Sequence, residues 1–120
     1  MNKIEFDYIK RKDGSSEFEE FFDRIPPKEA IKLLTAIQKI ETCGLAIAIK
    51  MEWVKKLNHD LSEVRSKFGS NITRVIYFKL CGNKYMMTHG FSKKTQRTPR
   101  NEIVHAANKR KRFLERLENE

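Results

Sequence analysis

Cysteine is scarce in this 120-residue chain, and the two present, Cys43 and Cys81, fit neither a CxxC metal knuckle nor a disulfide framework. Zinc-knuckle and disulfide-scaffold classes are thereby excluded, and both thiols are expected to be small buried hydrophobes without chemistry. Long apolar runs are also missing. No stretch approaches the length needed to span a bilayer, and Met1-Asn2-Lys3-Ile4-Glu5-Phe6 lacks the apolar run of a leader. A cytoplasmic protein with no membrane partner is expected. Repeats, linkers and low-complexity tracts are absent, and no tyrosine follows Tyr85. Acidic residues are in deficit: 16 Asp and Glu stand against 25 Lys and Arg, for a net charge of +9 and a pI near 9.7. Such a balance favours an anionic partner such as RNA, DNA or an acidic protein. Residues 91 to 120 carry nine basic and four acidic side chains, so the excess is densest in the last quarter, where the polyanion is expected.

The length predicts one domain, residues 1–120, with a single core. Ile4, Phe6 and Tyr8 alternate with Glu5 and Asp7, the period of a half-buried strand. Ser16 and Glu19 form a capping-box pattern, and Phe18, Phe21, Phe22 and Ile25 line one face of a short helix that Pro26-Pro27 ends. Ala30, Leu33, Leu34, Ile37 and Ile40 repeat the helical stripe up to Gly44. Residues 46 to 57 have no clear period. Three strand-like runs follow, Leu61 to Phe68, Thr73 to Cys81 and Lys84 to Phe91, joined by turns at Gly69-Ser70 and Gly82-Asn83. A last helix from Thr98 or Pro99 carries Ile103, Ala106, Ala107, Phe113, Leu114 and Leu117, and its run Lys109-Arg110-Lys111-Arg112 reads as a solvated face.

Two-residue turns fix a register. Arg65 falls opposite Arg74, Arg74 opposite Phe91, and Ile76 opposite His89, so that Glu63, Arg65, Arg74, His89 and Lys93 share one face of the sheet. Val64, Phe68, Val75, Tyr77 and Met86 take the other face, against the two early helices. Two directly opposed arginines repel unless an anion lies between them; either a bound phosphate or a structural ion pair with Glu63 answers that need. His89 reads either as a proton carrier or as a satisfied core residue, and Lys50 and Lys56 read as solvated charges at a helix end.

The segment His89-Gly90-Phe91-Ser92-Lys93-Lys94-Thr95-Gln96-Arg97-Thr98-Pro99 runs a strand into a cationic, hydroxyl-rich loop and then into a helix. Lysine and arginine supply charge, serine and threonine supply donors, and the first helical turn offers free N–H groups, a combination suited to phosphate. A loop that only keeps the protein soluble is the alternative reading.

In the order Lys56-Leu57, Leu61-Ser62-Glu63-Val64-Arg65, Thr73-Arg74-Val75-Ile76-Tyr77-Phe78, and the loop motif followed by Glu102-Ile103 and Ala106, the chain resembles the RelE/ParE superfamily of toxins. Within it, the similarity is to the HigB-like, phage-derived branch of type II toxin-antitoxin systems. The resemblance implies a compact α+β domain: an antiparallel sheet of an N-terminal strand plus a three-strand meander, two N-terminal helices on one face, and a C-terminal helix. It further implies a metal-independent mRNA endoribonuclease without a cofactor, working at the 70S ribosome and silenced by a cognate antitoxin, a HigA-like helix-turn-helix protein. On this resemblance Arg65, Arg74, Glu63, His89 and Lys93 are the catalytic candidates, with Arg74 on the scissile phosphate, Lys93 near the leaving oxygen, and Glu63 or His89 as base. Lys94, Thr95, Arg97, Lys56 and Phe91 are expected to bind RNA or phosphate. Ser62 stands where relatives carry Tyr or Trp, which leaves base stacking to Phe91 or Tyr85. A ParE-like inhibitor of DNA gyrase and a catalytically silent nucleic-acid-binding protein are the competing readings.

Overall fold

The computed structural model describes residues 3–120; Met1 and Asn2, at the head of the segment read for a leader, lie outside them. Strand β1 (Glu5–Tyr8) is followed by three helices, α1 (Glu17–Arg24), α2 (Pro27–Cys43) and α3 (Leu45–Lys50). Strands β2 (Val54–Lys56), β3 (Ser62–Phe68), β4 (Asn71–Cys81) and β5 (Lys84–Lys93) precede the final helix α4 (Arg100–Glu118). The five strands form one sheet in the order β1-β5-β4-β3-β2.

Local chemistry accounts for most of these boundaries. The Ser16 hydroxyl accepts from the Glu19 amide at 3.0 Å, capping α1. Pro27 opens α2, where its missing N–H costs nothing. Gly44 ends α2 at φ 87°, a conformation that side chains resist. Two short elements, α3 and β2, occupy the stretch without a period.

One expectation about the sheet is corrected. β1 does not complete an antiparallel sheet; it pairs parallel with β5, Glu5 beside Lys84 through Tyr8 beside Met87. The chain leaves β1 at one edge, crosses by way of three helices to β2 at the far edge, and meanders back, which brings β5 alongside β1 in the same direction. A helical crossover of this length is what parallel pairing needs.

Both faces of the sheet are covered. Phe18, Phe21, Leu33, Ile37 and Ile40 from α1 and α2 pack with Val64, Val75, Tyr77 and Met87 on one side. Ala106 of α4, with Ile103, Phe113 and Leu114 at its margin, packs with Leu61, Ile76, Phe78, Met86 and Phe91 on the other. Met86 was expected beside Tyr77 and lies on the α4 side instead. Two bulges between β4 and β5 explain the exchange: Leu80 is extra on β4, Thr88 on β5, and between them the pairing slips by one residue, setting Tyr77 opposite Met87. The slips cancel, so Ile76 still faces His89 and Arg74 still faces Phe91. Leu34, Leu117 and Phe68 are exposed rather than core, and Phe68 carries the Lys32 ammonium over its ring at 5.8 Å. Cys81, expected to be buried, is exposed at the hairpin, and Cys43 is partly buried. Among the described residues no helix is long and apolar enough to cross a membrane.

Candidate nucleic-acid site

The register of β3 and β4 sets Arg65 directly opposite Arg74, with Glu63 two residues along the same face. All three side chains are engaged. Glu63 is fully buried; its Oε2 accepts from Arg65 Nε, and its Oε1 accepts from the Thr98 hydroxyl at 2.7 Å. The ion pair between Arg65 and Glu63 therefore answers the repulsion that the opposed arginines would otherwise feel. Arg74 is also fully buried; its Nη1 donates to Thr98 Oγ1 at 3.4 Å and its Nη2 to the Thr95 carbonyl. Arg65 reaches the same loop, donating to the Gln96 carbonyl and, at 3.4 Å, to Gln96 Oε1. Residues 95 to 98 thus fold back over the two arginines and engage the terminal nitrogens of both with main-chain and side-chain oxygens.

Arg74 Nε has no hydrogen-bond partner among the described residues. Burial pushes the Arg74 pKa below its ordinary value; the Glu63 carboxylate opposes that shift, and the nearby Arg65 charge adds to it. Guanidinium is nonetheless a cation at neutral pH. A buried cation with a free donor, hydrogen-bonded to a neutral carbonyl and a hydroxyl while the nearby Glu63 carboxylate is engaged by Arg65, can still receive an incoming anion.

His89 shares this face but belongs to a second cluster. It is 4 % exposed, its Nδ1 lies 3.1 Å from the Thr88 hydroxyl, and its Nε2 lies 3.0 Å from Glu102 of α4. Its ring meets that of His105 edge to face, 4.7 Å between centroids. His105 in turn contacts Glu17 at 2.9 Å, and Lys109 donates to Glu17 at 3.0 Å, tying α4 to the start of α1. Burial lowers the His89 pKa, the hydrogen bond to Glu102 resists, and His105 adds to the lowering. Burial would raise Glu17, but the hydrogen bonds from His105 and Lys109 outweigh it and hold the carboxyl at about 2. A cleft of about 580 Å³ opens beside these groups, lined by Glu17, Arg24, His89, Lys93, Glu102 and His105.

Of the residues singled out in the sequence, Glu63, Arg65 and Arg74 come together in one network, while His89 stands apart from it in the Glu102–His105 cluster. Lys93 lines the cleft with His89, and Lys94, Thr95 and Arg97 are exposed on the loop. Lys56 lines a separate groove that meets the network only at Arg65 and Gln96. Phe91 is 7 % exposed and packs with Ile76 and Ala106, and Tyr85 packs on Phe6 and Tyr77, so neither presents a free ring to a base. Sequence reasoning missed Thr98, Gln96, Glu102, His105 and Glu17. Thr98 had a signal, a hydroxyl next to the helix-opening Pro99; the Gln96 and Thr95 carbonyls had none, because every residue carries one. Among the described residues, no group of three or more His, Cys, Asp or Glu side chains is assembled to hold a metal ion.

The geometry has a family behind it. A profile of the family described as Phage derived protein Gp49-like (DUF891) matches residues 20–111, more than three quarters of the chain. The chain belongs to the Gp49-like family. This is a RelE-like, toxin-type family, and the mixed sheet with its flanking helices is compatible with a compact RelE-like fold. No curated protein matches the chain. The Gp49-like match runs from within α1 into α4, and so contains the whole arginine network and most of the cluster around His89, with Glu17 and β1 before it.

Proposed function

We propose that this Gp49-like protein is the toxin of a type II toxin-antitoxin pair of the HigB-like branch, an mRNA endoribonuclease that works without a metal ion, at the ribosome, in the cytoplasm. The observation that carries this reading is the opposed pair Arg65 and Arg74, held under a loop whose Thr95 and Gln96 carbonyls accept from their guanidinium groups. Substrate phosphate oxygens replace those carbonyls when the loop moves aside, and the free Nε of Arg74 supplies one more donor.

In the reaction, a base takes the ribose 2′-OH proton, the 2′-oxygen attacks the adjacent phosphorus, and the bond to the 5′-oxygen breaks. The products are a 2′,3′-cyclic phosphate and a 5′-OH. Arg65 and Arg74 neutralise charge on the phosphorane, and Lys93 protonates the leaving oxygen. Glu63 is the base: the loop that supplies Thr98 also covers it, so displacement of that loop frees Oε1 while Arg65 keeps Oε2 in place. His89, with both ring nitrogens engaged, holds β5 to α4. The cognate antitoxin, a HigA-like helix-turn-helix protein, silences the toxin.

Mapping RNA ends in cells after induction, beside a gyrase supercoiling assay, tests the reading. New 5′-OH ends within messages are expected, with gyrase unaffected; inhibited supercoiling without new ends would assign the protein to the gyrase-inhibitor class. Glu63→Gln is expected to be inactive and His89→Gln active; the reverse, with both variants folded, makes the histidine the base.

A further inference from the structure

The second groove of the molecule lies between α2 and the β2–β3 edge, with a volume of about 870 Å³. Lys32, Lys39, Lys55, Lys56, Arg65 and Lys67 line it, against a single carboxylate, Glu52. The five lysines are exposed, and none is in a salt bridge among the described residues. The cations of α4 differ: Lys109 is paired with Glu17, Arg110 with Asp60 at 3.7 Å, and Arg116 donates to the Lys10 carbonyl at 3.2 Å. Lys109 and Arg110 of the last quarter are thus neutralised in ion pairs, whereas none of the five lysines of this groove is.

Lysines on an edge strand serve to block strand pairing, which accounts for Lys55 and Lys56 on β2. It does not account for Lys32 and Lys39, about two turns apart on α2, or for Lys67 on β3. The ammonium groups of Lys32 and Lys39 are held in place. Lys39 sits 4.6 Å from the Trp53 ring centroid, and Lys32 donates to the Lys67 carbonyl over the Phe68 ring. Like charges so fixed repel one another until an anion enters. A groove of this size with five lysines exceeds what one phosphate needs, and its lining includes the apolar side chains of Ile49 and Trp53, against which bases can lie.

We infer that this groove is a binding track for single-stranded RNA, with phosphates on the lysines and bases toward Trp53. The inference rests on the ribonuclease reading, because the direction of the track follows from it. The groove ends at Arg65 and Gln96, so a strand whose scissile phosphate lies between Arg65 and Arg74 continues past Arg65 onto these lysines.

The test uses fluorescence anisotropy of the full chain with a labelled twelve-nucleotide 2′-O-methyl RNA, which cannot be cut by 2′-OH attack. Each phosphate contact on a single strand contributes ~0.7 to the slope of log K against log salt. The triple substitution Lys32→Gln, Lys39→Gln, Lys67→Gln should lower that slope by ~2 and weaken binding roughly a hundredfold at about 0.1 M salt. The control Lys111→Gln, Arg112→Gln, on exposed α4 positions, should keep the wild-type slope. Circular dichroism confirms that each variant is folded. Wild-type affinity and slope in the triple variant overturn the inference, as does a twelve-residue polyglutamate that binds the groove as tightly as the RNA, which would make it a seat for an acidic protein segment. Cleavage of mRNA is measured separately. Loss of RNA binding in the triple variant of a protein that cuts nothing leaves the track standing and sinks the ribonuclease reading; cutting by a wild type whose triple variant binds normally does the opposite.

Discussion

Glu17 and His89 both have lowered pKa values in the fold, Glu17 because it is held as an anion and His89 because it is buried as a neutral ring. The folded Glu17 carboxyl, at about 2, lies below its ordinary value of 4.5. Its contribution to stability is present above pH 4.5 and is lost as pH falls from there toward 2. For His89, burial depresses the folded pKa below 6.5, so the unfolded chain binds a proton first and stability falls as pH drops below 6.5. Urea titrations of wild type, Glu17→Gln and His89→Gln at pH 7, 5 and 3 separate the two. His89→Gln should lose less stability than wild type between pH 7 and 5, and Glu17→Gln should lose less between 5 and 3. Parallel curves for all three would show that neither group carries its assigned linkage. At this scale the sequence was legible where a side chain acts through its register position: Arg65, Arg74 and Glu63 sit on the face that turn arithmetic gives them. It named Thr95 only as a phosphate binder and was silent about the carbonyls of Thr95 and Gln96, and about Glu17 and His105, which meet only because α4 folds back across the start of α1.

The motif His89-Gly90-Phe91 owes its glycine to the packing of an element. A Cβ at Gly90 would lie within 2.8 Å of Phe21 Cγ and closer still to two other carbons of that ring, so α1 can rest on β5 only where the side chain is missing. Gly90→Ala should therefore destabilise the fold by about 1–3 kcal/mol, the usual cost of overpacking a tight core. A denaturant midpoint equal to the wild type's would mean that Phe21 moves aside freely. Long periodic elements were readable from the chain, since α1, α2, α4 and the meander each repeat their pattern over enough residues to show a period. The six residues of α3 and three of β2 are too few, and the parallel pairing of β1 depends on a crossover that no local pattern encodes. The bulges at Leu80 and Thr88 moved Met86 to the α4 side, and because they cancel, Arg74 and Ile76 kept their predicted partners Phe91 and His89, while the β3–β4 pairing that sets the arginine network has no bulge.

For the whole molecule, charge and fold converge on one corner. The α4 helix pairs Lys109 with Glu17 and Arg110 with Asp60, the groove beside α2 keeps its lysines unpaired, and Arg65 belongs both to that groove and to the buried network with Arg74. On the proposed function, a polyanion attracted by a net charge of +9 reaches from this edge the two arginines beneath the loop of residues 95 to 98. The central claim is that Arg74 stabilises the transition state of RNA cleavage there. The most direct measurement is the rate at which purified wild-type and Arg74→Ala proteins cut a defined message on translating ribosomes, with the new ends assayed for 2′,3′-cyclic phosphate and 5′-OH. Loss of one charged donor to a developing oxyanion predicts a rate lower by about two to three orders of magnitude in a folded variant. Equal rates for the two folded proteins, or no cleavage by wild type under these conditions, would contradict it.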